Sequence, residues 1–166
     1  SKSAYIQRVN ECKEGLEILK KKCNIATFRE IDQSILQELK TKYNILYRRL
    51  CHVVDENQRV KDMKDQLQKG NVDKVGTILR ESHESLKCLY EVSCEEIDYI
   101  VQLSEVYDGW YGGRIIGGGF GGCSIHLVAD HVLEDYHGNI TTNYIKKYNI
   151  IPDIKNIRFP GGVQYL

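Results

Sequence analysis

Apolar residues recur at helical spacing through the first two-thirds of the chain. Ile6, Val9, Leu16, Leu19 and Cys23 fall on one face of a first predicted helix. Thr27 and Glu30 then stand in capping-box spacing, in which each side chain satisfies an orphan amide at a helix start. A second helix is therefore predicted from there, with Ile31, Ile35 and Leu39 as its apolar stripe. A longer helix covers about 42–69 and carries Leu46, Leu50, Val53, Val54, Val60, Met63 and Leu67. Gly70 ends it, as a glycine past the last turn commonly does. Asn71 is placed to cap a fourth helix that runs to about Tyr90, with Val75, Ile78, Leu79, Leu86 and Leu89 apolar. Ser93 and Glu96 repeat the capping-box spacing ahead of Ile97, Ile100, Val101 and Leu103, and Gly109 closes that stretch.

The period then changes to that of a strand. Two short strands are predicted at 113–116 and 123–129; in the second, Cys123, Ile125, Leu127 and Ala129 alternate with Ser124, His126 and Val128. A further helix at about 132–148 leads past Pro152 to a last predicted strand at 155–159. Helices followed by strands, with one helix returning, predict an α+β domain. There is no internal repeat, low-complexity tract or linker, so 1–166 reads as one domain.

Charge and size narrow the classes. The 166 residues hold 23 basic and 23 acidic side chains, interleaved to a net charge of zero. That balance argues against a nucleic-acid footprint or a polybasic membrane anchor. No apolar run approaches the ~18 residues that span a bilayer, and the opening SKSAYIQRVNE does not read as a signal peptide. A domain of ~150 residues buries roughly two-thirds of its unfolded surface, so no staple is required. Cys12, Cys23, Cys51, Cys88, Cys94 and Cys123 include no C-x-x-C pair. They read as buried free thiols of a cytoplasmic protein, against the alternative of a zinc site or disulfide framework.

The candidate chemistry lies between the strands. Residues 111–129 hold seven of the 14 glycines. Gly117, Gly119 and Gly122 fit G-x-G-x-x-G literally, but a strand follows where a dinucleotide fold needs a helix. A protein-kinase loop does lie between strands, yet no V-A-I-K, H-R-D or D-F-G occurs downstream. What remains is a glycine bend that either aims backbone N–H groups at a polar or anionic ligand, or serves close sheet packing. Physics alone leaves both open. Among the neighbours, Phe120 is expected to anchor the loop in the core, and Arg114 to be a surface residue. His83 reads as a packed helix histidine, and His52, Asp55 and Glu56 as a polar network between helices. His131 and His137 read as a solvated face, and Cys123 has no recognisable base beside it.

The stretch GGRIIGGGFGGCSIHLV resembles the third motif of the GHMP small-molecule kinases, in the form carried by galactokinases. SAYIQRVNEC, CHVVDENQRV and ESHESLKCLYEVSCEEID resemble that family too, in its order and at its spacing. Its sugar signature of the G-E-H-x-D-Y type, its phosphate loop and its catalytic aspartate are not present. The chain therefore resembles the C-terminal half of a galactokinase, with helices packed on a small antiparallel sheet. The resemblance implies that Tyr5 donates its hydroxyl to a bound sugar, and that Gly117, Gly118, Gly119, Gly121 and Gly122 line the cleft beside sugar and transferred phosphate. It implies no catalytic residue and no metal ligand here; ATP and Mg2+ would be held mainly by the N-terminal half. The intact enzyme would phosphorylate the anomeric hydroxyl of galactose, and this chain alone would be inactive. A non-catalytic galactokinase-like sugar sensor or regulatory module, and a kinase for N-acetylgalactosamine or another sugar, are the alternatives. An exposed apolar face is expected where the other half docks.

Overall fold

The computed structural model describes residues 2–157. Helices α1 (Lys2–Lys22), α2 (Gln33–Lys40), α3 (Asn44–Gln68), α4 (Val72–Cys88) and α5 (Glu95–Glu105) precede strands β1 (Trp110–Ile116) and β2 (Cys123–Val128), and α6 (Leu133–Tyr148) follows. The fold is α+β, as the sequence order implies. The strands pair antiparallel with Arg114 opposite Ile125, and the register shifts between Trp110 and Gly112. Among the described residues no helix is long and apolar enough to cross a membrane. All six cysteines are free, but only Cys12 and Cys51 are buried; Cys88 and Cys123 are exposed, against expectation.

Three apolar clusters hold these elements together. Leu16, Leu19, Leu36, Leu39 and Leu50 join α1, α2 and α3. Leu86, Val92, Ile97 and Ile115 form a second cluster under the glycine loop. Val101, Trp110, Tyr136 and Ile140 fasten α5 and α6 to the start of β1. Between α4 and β1 the backbones themselves touch. A β-carbon on Gly76 would fall 2.2 Å from the Tyr111 carbonyl oxygen, and one on Gly112 would fall 2.0 Å from that of Gly76.

The helix starts differ from expectation at two places, for the same reason. Glu30 accepts the Ala26 N–H (3.1 Å) and the Thr27 hydroxyl (2.9 Å), so the two side chains engage each other in a 3-10 turn. Helix α2 begins only at Gln33, where the Asp32 carboxylate accepts the Ile35 N–H at 2.9 Å. Ile31 is buried ahead of the helix, and Leu36 joins Leu39 on its inner face. Likewise the Ser93 hydroxyl donates to the Asp98 carboxylate (2.5 Å), and Cys94 occupies the N-cap of α5. In both cases a nearby carboxylate competes for the capping hydroxyl. Gly70, at φ +65°, and Asn71, which accepts the Lys74 N–H at 3.3 Å, do act as the sequence predicts. Strand β1 starts earlier than 113, because Trp110 already pairs with Val128. Of the last predicted strand, residues 155–157 are not extended into a sheet; Arg158 and Phe159 lie outside the described residues.

Candidate functional site

The bend between β1 and β2 is a loop of left-handed backbone. Gly117 (φ +80°), Gly119 (+80°), Gly121 (+112°) and Gly122 (+98°) all have positive φ, as does Phe120 (+64°). The loop is seated on the turn between α4 and α5. Phe120 donates its N–H to the Val92 carbonyl at 2.5 Å. A β-carbon on Gly119 would stand 2.6 Å from both the Val92 Cβ and its carbonyl oxygen. Glycine at 119 is thus required twice, by conformation and by contact. Phe120 packs onto the second apolar cluster, as expected of an anchor.

Tyr5 sits in the first turns of α1, half exposed at 50%. Its ring Cδ2 lies 3.9 Å from where a β-carbon on Gly118 would stand. The structure therefore brings together the tyrosine and the glycine loop that the resemblance singles out, although they come from opposite ends of the chain. Gly117 and Gly122 face open space, and Gly121 comes within 4.0 Å of the Cys94 sulfur on the same measure. The loop 117–122 carries no titratable side chain. It can present backbone amides and admit a ligand closely, but it supplies no acid or base.

Around this site lies a polar framework that sequence reading resolved only partly. His52 Nδ1 meets the Ser85 hydroxyl at 2.8 Å, Asp55 accepts from Gln33 at 3.0 Å, and Glu56 accepts from Ser82 at 3.0 Å. The expected network between helices is there. Arg114 departs from expectation: its Nη1 donates to Glu56 (3.1 Å) and Ser82 (2.7 Å), tying β1 to α3 and α4 rather than standing free at the surface. Burial pushes the Glu56 carboxyl up, but bonds from Arg59 and Ser82 and the charge of Arg114 outweigh it and hold it low. His83 is packed, its Nδ1 accepting the Ile115 N–H at 3.3 Å. Among the described residues no three His, Cys, Asp or Glu side chains gather to hold a metal ion.

A second framework escaped the sequence altogether. Arg49, 2% exposed on α3, donates to Glu11 of α1 (2.7 Å), to the Leu89 carbonyl (2.6 Å) and to Glu91 (2.6 Å). Arg48 also bonds Glu91 and the Cys88 carbonyl. The partners stand about forty residues apart in the chain, and no local pattern links them.

Known proteins are similar to this chain in sequence and fold. Residues 63–136 match the family model described as GHMP kinases C terminal. The galactokinase of Thermotoga neapolitana is 37% identical over 164 residues, which are 99% of this chain and 45% of that protein. That of Thermotoga maritima is 38% identical over the same shares. That of Clostridium tetani is 39% identical over 148 residues, 88% of this chain and 38% of the relative. The crystal structure of Lactococcus lactis galactokinase complexed with galactose superposes with a TM-score of 0.80 at 30% identity, covering 90% of this chain and 39% of that one. The chain thus spans less than half the length of these relatives, a share consistent with a C-terminal half. Residues 63–136 therefore match a GHMP-kinase C-terminal domain, and the chain as a whole is similar to part of the galactokinases.

Proposed function

We propose that this chain is the substrate-cleft half of a galactokinase, which as part of a longer cytoplasmic polypeptide transfers the ATP γ-phosphate to the anomeric hydroxyl of galactose. The alignment with galactokinases along 99% of the chain carries this reading. The approach of Tyr5 to Gly118 supports it. Phosphoryl transfer asks mainly for alignment and stabilisation of charge. Tyr5 supplies a hydroxyl to orient the sugar, and the glycine loop lets sugar and phosphate come close to the backbone. By the resemblance to galactokinases this chain supplies no magnesium ligand, and ATP and Mg2+ are held mainly by the N-terminal half. The loop offers no base either. The reading therefore assigns MgATP and the catalytic base to the N-terminal half, and the galactose-facing wall to this chain.

The test is galactose-dependent ADP release by the native polypeptide, captured from its own cells with an antibody to this chain, beside the 166-residue chain alone. Release by a polypeptide about twice this length, and none by the chain alone, is expected. Faster turnover of N-acetylgalactosamine would reassign the sugar, and no turnover of any sugar would make the protein a sensor.

A further inference from the structure

The Arg49 framework adjoins the turn on which the glycine loop is seated. Glu91 occupies the turn between α4 and α5 at φ +55°, a conformation that non-glycine residues seldom hold. Such backbone persists when its surroundings over-determine it. Here Arg49 grips one carboxylate oxygen at 2.6 Å, Arg48 grips the other, and Arg8 stands 3.8 Å away. The hydrogen bond from Arg49, helped by its charge and by Arg48, holds the Glu91 carboxyl below the usual range despite some burial. The next residue is Val92. Its N–H donates to the Leu86 carbonyl (3.0 Å), and its own carbonyl accepts the Phe120 N–H. Gly119 rests on the same residue. The seat of the loop is therefore one peptide unit from the clamped carboxylate.

The other arm of the framework reaches Tyr5. Arg49 Nε and Arg8 Nη1 both donate to Glu11 Oε2, each at 2.7 Å. Arg8 and Glu11 belong to α1, and Arg8 is one helical turn on from Tyr5. One guanidinium so connects the helix that carries Tyr5 with the turn that carries the loop. We infer that Arg49 and Glu91 are positioning residues, which hold the glycine loop in register with Tyr5 without touching the sugar themselves.

The consequence for galactose rests on the function proposed above; the consequence for the loop does not. The experiment uses the full-length polypeptide that contains this chain, with Glu91→Gln and Glu91→Gly, the second of which keeps the left-handed backbone available. Amide exchange across 117–122 should quicken by about tenfold in both, with exchange in α6 unchanged. The galactose KM should rise about tenfold while the ATP KM stays put, since small misplacements of orienting groups are felt at the bound substrate. Arg48→Met, which removes one grip from a half-buried side chain, should give a smaller shift in the same direction, and it serves if the Glu91 variants do not fold. Unchanged loop exchange with a lowered Tm would overturn the inference and leave the framework a structural brace. A wild-type enzyme that does not phosphorylate galactose would sink the proposed function, and loop exchange would still decide this one.

Discussion

Gly118 and Gly119 are adjacent and chemically identical, yet they stand under opposite constraints. At Gly119 both φ (+80°) and the 2.6 Å approach to Val92 forbid a β-carbon. At Gly118 a β-carbon would meet only the Tyr5 ring, at an ordinary contact distance of 3.9 Å. Gly119→Ala should therefore lower the unfolding free energy by about 1–3 kcal/mol, the range for left-handed strain and overpacking. Gly118→Ala should change it by less than about 0.5 kcal/mol, as expected where no such feature is broken. Urea unfolding of the two variants separates them; equal losses would mean that the seat on Val92 is not rigid. The sequence marks this loop as unusual, but not which glycine is needed for the fold and which faces Tyr5. That difference is made by Val92, a residue of another element, and by an approach between opposite ends of the chain.

The helices were legible because each carries apolar residues at helical spacing, a property that local sequence encodes, although Ile6 of α1 and Val60 and Leu67 of α3 stand exposed rather than inward. Their starts were less so, since Thr27 and Ser93 each found a carboxylate side chain more accessible than the amide they were expected to cap. The contact of α4 with β1 was not legible at all. It depends on Gly76 and Gly112 lying face to face, and neither breaks the pattern around it. Gly76→Ala sets a β-carbon 2.2 Å from a carbonyl oxygen of the strand. No rotamer relieves a backbone-to-backbone clash, so the helix has to lift from the sheet that holds the loop. A loss of about 3 kcal/mol or more is expected. Gly138→Ala in α6 is the control: its β-carbon would meet nothing within 4 Å, and alanine's helix propensity should add up to about 1 kcal/mol. Denaturant midpoints moving in opposite directions would bear this out. A stable Gly76→Ala would mean that α4 can shift on the strand without loss.

The whole molecule is also stitched by buried and half-buried histidines that work as neutral rings. His52 lies between α3 and α4, stacked on Tyr90 with ring centroids 4.5 Å apart. His83 joins α4 to β1 by accepting the Ile115 N–H, while its Nε2 lies 3.3 Å from Asp98 without good hydrogen-bond geometry. His126 joins β2 to α6, its Nδ1 accepting from Trp110 Nε1 at 3.0 Å and facing the Tyr136 hydroxyl at 2.9 Å. Two groups converging on Nδ1 leave the proton on Nε2, beside the Ser124 hydroxyl at 2.9 Å. Burial pushes His52 and His126 down to about 4, and lowers His83 as well. Their folded values lie below the unfolded value, so the unfolded chain takes up protons first as the medium acidifies. Their contribution is complete above the unfolded pKa of about 6.5 and is lost as pH falls towards the folded value. By pH 5, His52 and His126 should each have given up roughly 2 kcal/mol, at about 1.4 kcal/mol per pKa unit. Glu11, Glu56 and Glu91, held low by their arginines, add losses of the same sign at lower pH. Unfolding free energies should fall steadily from pH 7 to pH 4, and His126 should show the Nε2-protonated ring by NMR down to about pH 5. Stability flat between pH 7 and 5, with the His126 ring titrating near 6.5, would mean that the interface between β2 and α6 is open to water. In that case one side of the sheet that carries the glycine loop would lack its packed support.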